Sequence, residues 1–202
     1  MDQDQARQLA MMLDIQCAKC ANDDKQRPDD PENLTVWGQC LMELCMFKSG
    51  EPTADLITLA VQKLEKAAEL RPNSPAILAP LAQALNMTGF NSPDRETANR
   101  YFKLSVEKMR EVVDLEPDNI EYKKTLENLM RAPEVHEQLL RSLESAAGGK
   151  GLLGQAPSGK SQSEAAKKKR RSELKYSILG YVVLALGLVF IFRRASAPAS
   201  SA

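Results

Sequence analysis

Residues 33–44, NLTVWGQCLMEL, and residues 59–74, LAVQKLEKAAELRPNS, decide the fold. In the first stretch Trp37, Cys40, Leu41 and Leu44 recur at steps of one, three and four, which places them on one face of a helix. In the second, Ala60, Leu64 and Ala67 do the same, and Pro72 follows. Pro31 and Asn33 precede the first helix, Gly50 to Pro52 end it, and Thr53 is placed to cap the second. With Arg71-Pro72-Asn73-Ser74 as a closing turn, the whole reads as a helical hairpin.

A second unit follows. Leu78, Leu81, Ala82 and Leu85 are succeeded by Ser105, Met109, Val112 and Pro117, and Glu116-Pro117-Asp118-Asn119 repeats the turn chemistry. Both units fit the tetratricopeptide spacing, with Trp37 and Leu78 taken as its first large residue. Their prolines stand 45 residues apart, against a nominal period of about 34, so the hairpins are lengthened. Gly89 to Pro93 separates the Leu78 helix from a long one running from Asp94 to Leu115; a third helix, Ile120 to Met130, covers the open end and is stopped by Ala132-Pro133. Upstream, Ala6, Leu9, Ala10, Leu13, Cys17 and Cys20 are also helically spaced. No segment alternates with period two, so residues 1–145 are expected to form an all-α domain of tetratricopeptide-like hairpins.

The zero net charge hides a division: residues 1–159 carry 18 basic and 25 acidic side chains, and residues 160–202 carry 9 and 2. One His and no Gly-rich phosphate loop leave little for acid/base or nucleotide chemistry, so neither an enzyme nor a cofactor is expected, nor nucleic acid as a partner. Cys17 and Cys20 have zinc spacing, but with Cys40 and Cys45 they lie in apolar helical stripes, where thiols act as small hydrophobes. His136 reads as a solvated helix residue and Trp37 as core.

Residues 146–175 are Gly-, Ser- and Pro-rich at first and end in a basic run, KKKRR at 167–171, which reads as a flexible tether. Residues 176–192, YSILGYVVLALGLVFIF, contain no charge. As a helix they would be roughly 26 Å long, enough to cross a ~30 Å hydrocarbon layer when the flanking Lys and Arg snorkel. The basic excess on the N-terminal side predicts a tail anchor with residues 1–175 in the cytosol and 193–202 in the intermembrane space. Ser177, Gly180, Leu184 and Gly187 form a smooth stripe on which another membrane segment could pack.

Asn33-Leu34-Thr35-x-Trp37-Gly38, the lengthened hairpins, Glu116-Pro117-Asp118-Asn119, Arg131-Ala132-Pro133, the linker, the basic run and the terminal anchor resemble, in order and over nearly the whole chain, a known family. It is the plant-type, C-terminally anchored presequence receptor subunit of the translocase of the outer mitochondrial membrane. The resemblance implies an import receptor in that membrane, with presequences, other translocase subunits including the channel, and the bilayer as partners. Presequences are amphipathic and Arg-rich, and a reader of them needs an adaptable apolar groove in a negative field. One residue past each core stripe, about 100° round the helix, a second stripe is expected to line a concave face. In the first hairpin it is Gly38, Met42 and Cys45 with Met46 beside it; in the second it is Ala79, Gln83 and Asn86 with Met87. Thioethers repack cheaply against varied leucine-bearing helices, though the same methionines could instead fill gaps in the core. Two other readings of a tail-anchored repeat protein are an organelle-fission adaptor and a chaperone-docking receptor. The latter needs Lys and Asn where Gly38 and Met42 stand.

Deleting residues 176–202 is therefore expected to release the protein from membranes. Carbonate extraction of membranes from cells expressing the truncated chain checks this, with recovery in the soluble fraction expected.

Overall fold

The computed structural model describes residues 3–48, 51–92 and 94–148. These form seven helices and no strand: α1 (Gln3–Gln26), α2 (Pro31–Leu44), α3 (Glu51–Leu70), α4 (Pro75–Asn91), α5 (Arg95–Leu115), α6 (Ile120–Met130) and α7 (Ala132–Gly148). No helix among the described residues is long and apolar enough to cross a membrane. The expected anchor at 176–192, its stripe from Ser177 to Gly187 and most of the tether lie outside the described residues.

Polar caps and turn residues set the boundaries. The Asp30 carboxylate accepts from the backbone N–H groups of Glu32 and Asn33, and those bonds hold its pKa below the usual value. Asp94 and Asn119 cap α5 and α6 in the same way. Asp29 and Asn73 have φ of 68° and 62°, a left-handed conformation that Asp and Asn tolerate better than most residues.

Three turns are equivalent: Arg27-Pro28-Asp29-Asp30, Arg71-Pro72-Asn73-Ser74 and Glu116-Pro117-Asp118-Asn119. In each, the first residue's N–H donates to the carbonyl four residues earlier, at 2.8, 2.9 and 3.0 Å. Steps of 44 and 45 residues also superpose Leu13, Ile57 and Phe102, and likewise Cys20, Leu64 and Met109, all of them buried. Helix α1 is thus the counterpart of α3 and α5, the second helices of the two hairpins. Successive helices pack in chain order from α1 to α6, α2 also touches α4, and α7 lies against α5 and α6.

The same offset corrects the first hairpin. Pro31, Leu34, Gly38 and Leu41 correspond to Pro75, Leu78, Ala82 and Leu85, so Leu34, fully buried, holds the place that the sequence reading gave to Trp37. Trp37 is half-buried: it rests against the core, with Lys63 Nζ 3.9 Å above its ring, and Lys63 also pairs with Asp24 of α1 at 3.2 Å. One apolar cluster joins Leu41 and Met42 of α2, Ala60 and Leu64 of α3, and Leu81, Ala84 and Leu85 of α4. A second joins Leu78, Ala79 and Ala82 to Met109 and Val112 of α5 and Leu129 of α6. The hairpins close tightly where the first helix carries little side chain. A Cβ built on Gly38 would lie 2.5 Å from Leu64 Cγ. At the matching place in the second hairpin, Ser105 Oγ donates to the Ala82 carbonyl at 2.7 Å.

Other boundaries also move. Helix α2 ends at Leu44, before Gly50; α3 starts ahead of Thr53, whose hydroxyl donates back to the Lys48 carbonyl at 3.0 Å. Gly89 lies inside α4, where a Cβ would meet the Phe102 ring at 2.5 Å. Ala132-Pro133 opens a helix rather than only stopping one, because proline fits the first helical turn. Helix α7 carries the folded part to residue 148, past the expected boundary at 145. It also buries His136, only 4% exposed, in edge-to-face contact with Phe90 and Phe102, so this histidine is not solvated.

Gly38→Val is expected to destabilise the domain by about 1–3 kcal/mol, since its methyls would overlap the branch point of Leu64. A lower urea midpoint at unchanged slope is the expected reading.

Candidate functional site

Four of the eight predicted groove residues are buried among helices and present almost no surface. Gly38 is pressed on Leu64, and Met42 belongs to the cluster that joins α2, α3 and α4. Cys45 sits in the turn after α2, its Sγ donating to the Leu41 carbonyl at 3.1 Å and 3.8 Å from the Thr53 carbonyl. Ala79 is covered by Met109, Val112 and Leu129. These are corrections of a single kind: each residue lies where two helices approach, and its small or flexible side chain serves that approach.

Met46, Gln83, Asn86 and Met87 keep partial exposure. The last three share one face of α4, at steps of three and one. Met87 leans on the first apolar cluster, against which the half-buried Tyr101 of α5 also packs. Asn86 Oδ1 is buried with no hydrogen-bond partner among the described residues, so an acceptor lies beside a polarizable apolar side chain. Forty-four residues earlier, the counterparts of Gln83, Asn86 and Met87 are Gln39, Met42 and Glu43 of α2, of which Gln39 and Glu43 are half-exposed. The sequence reading did not include these two. The offset between Pro28 and Pro72 places them level with Gln83 and Met87, since it gives the hairpin register without reference to Trp37.

The cysteines take no part in this face. All four are free. Burial, followed by the neighbouring Cys20, pushes the Cys17 thiol up to about 11, and burial pushes Cys45 up to about 12. Burial raises Cys20 as well. Metal binding and nucleophilic attack both need thiolate, and these shifts favour the thiol.

A family model described as plant specific mitochondrial import receptor subunit TOM20 matches residues 8–195. The chain belongs to this family. It is 35% identical over 184 residues to mitochondrial import receptor subunit TOM20-3 of Arabidopsis thaliana, covering 87% of each chain. It is 33% identical over 166 residues to TOM20-1 of the same plant, with 82% of this chain and 86% of the relative covered. With TOM20-2 the identity is 34% over 173 residues, covering 82% and 80%.

Because the thiol form persists well above neutral pH, native protein at pH 8 is expected to leave Cys45 unalkylated and Cys17 slowly alkylated by iodoacetamide. Peptide mapping after labelling should find both modified promptly only when urea is present.

Proposed function

We propose that the helical domain receives amphipathic presequences on the face formed by Gln83, Asn86 and Met87 of α4 with Gln39 and Glu43 of α2. The import-receptor role and the outer mitochondrial membrane location follow from membership of the family. The finer reading is that α2 to α6 form a tetratricopeptide-like stack whose first helices carry the contacts, joined by a tether to a C-terminal anchor. On this reading the chain binds precursors and hands them to the channel and other subunits of the translocase. It performs no chemistry on them.

One observation carries the assignment. The α4 face sets the partly exposed thioether of Met87, packed on the core, next to the partly exposed amide side chains of Gln83 and Asn86. Leucines of an amphipathic helix would add to the apolar surface around Met87, and polar groups of the ligand would meet the exposed part of those amides. The excess of 25 acidic over 18 basic side chains in residues 1–159 draws cationic segments in, mainly by raising the encounter rate.

Titrating a labelled presequence peptide into the protein tests this. Met87→Glu is expected to weaken binding by about 1–3 kcal/mol with the fold intact, through a charge placed against apolar surface. Met42→Glu is expected to lower stability instead, because Met42 is 8% exposed and sits in the core. A peptide keeping its arginines but with leucines replaced by Ala should bind more weakly. Equal binding of the two peptides, or full affinity in Met87→Glu, contradicts the assignment.

A further inference from the structure

Helix α1 carries apolar surface that its counterparts do not leave open. Met12 and Ile15 correspond by the 44-residue step to Leu56 and Leu59 of α3, which are partly buried against the cluster that contains Leu41 and Met42 of the preceding helix. In α1 the equivalent side chains are 67% and 59% exposed, and Met11 is 66% exposed. Its other face is committed: Leu13 and Cys20 are buried, Cys17 packs on the first cluster, and Asn33 Nδ2 donates to the Cys20 carbonyl at 2.9 Å. Ion pairs of Asp14 with Lys48 and of Asp24 with Lys63 hold α1 in that orientation. The open stripe is thus fixed outwards, in a place where the repeat elsewhere sets a helix.

The charges on the stripe indicate which helix fits. Asp4, Gln8, Met11, Met12, Ile15 and Lys19 are all exposed. At about 100° per residue they fall within an arc of about 100°. Laid antiparallel on a copy of itself about a point between residues 11 and 12, the stripe sets Met11 on Met12, Gln8 on Ile15 and Asp4 on Lys19. Both ends then pair opposite charges, and no like charges meet. A register three residues longer would set Arg7 on Lys19. An isologous contact of this kind is the usual way for one patch to complement itself. We propose that α1 is a homodimerisation surface, two copies of this chain pairing antiparallel through Met11, Met12 and Ile15 with reciprocal Asp4–Lys19 ion pairs. The proposal is independent of the α4 face.

Sedimentation velocity of the full chain in non-ionic detergent across a concentration series tests it. Wild type is expected to shift from monomer to dimer, and Met12→Lys and Ile15→Lys are each expected to raise the dissociation constant about tenfold or more, with unchanged circular dichroism. Asp4→Lys alone and Lys19→Asp alone should each weaken association about five- to tenfold, and the two combined in one chain should restore it. A chain that stays monomeric throughout, association indifferent to Met12→Lys and Ile15→Lys, or a double reversal no better than the single ones would overturn the proposal. So would a monomer in which Ile15→Lys weakens presequence peptide binding, which would give the stripe to the ligand.

Discussion

Everything in this domain hangs on how closely paired helices approach where the first helix of a hairpin has almost no side chain. Leu64 fills the space above Gly38, and in the second hairpin Met109 shares a cluster with Ala82 while Ser105 bonds its carbonyl. Interiors are packed at near-crystalline density, so such an approach has one register and resists sliding. Once it is set, the faces of α2 and α4 are assigned. Leu34, Leu41, Leu78 and Leu85 must turn inwards, and Gln39, Glu43, Gln83 and Met87 are left at the edge.

That constraint also explains what the sequence made legible and what it hid. Helices announced by long apolar periods and polar turns, α5 and α6 above all, were readable to within a residue. The first hairpin was misread by three residues because Trp37 is the largest apolar side chain there, and size suggested a core anchor. Its ring instead straddles core and surface under the Lys63 ammonium, which depends on a partner 26 positions away. Gly38 carries no periodic signal, so nothing local distinguishes a packing glycine from a groove glycine. His136 is hidden for a similar reason: its aromatic surroundings come from α4 and α5, and only tertiary folding assembles them.

Half of the proposed face was named from the sequence. Gln83, Asn86 and Met87 belong to a unit read in register, while the first unit was read out of register, so Gln39 and Glu43 were passed over. Chemistry alone could not separate Met42 from Met87. Both sit within two residues of a core leucine, Leu41 and Leu85, yet Met42 is a buried member of the cluster that joins α2, α3 and α4, and Met87 is only partly buried against it. A thioether suits either task, since it fills an irregular gap as readily as it meets a changing ligand. What decides between them is whether a facing helix leaves room.

The two ends of the stack follow from the same rule with opposite outcomes. A repeat unit cannot bury its apolar face alone and needs a neighbour or a polar cap. At the C-terminal end, α6 supplies Leu129 to the second cluster and α7 supplies Ala132 and His136 to the pocket of Phe90 and Phe102, with Arg95 pairing to Glu137 at 2.9 Å outside it. Helix α1 receives no such cover among the described residues. It is secured from one side by Leu13, Cys20 and its ion pairs, while Met11, Met12 and Ile15 remain in solvent. Covering those three side chains would remove most of a contiguous apolar stripe from water at about 25 cal/mol per Å². Three of the four most exposed large apolar side chains among the described residues lie together on α1, so this helix has a contiguous surface to gain from a second helix.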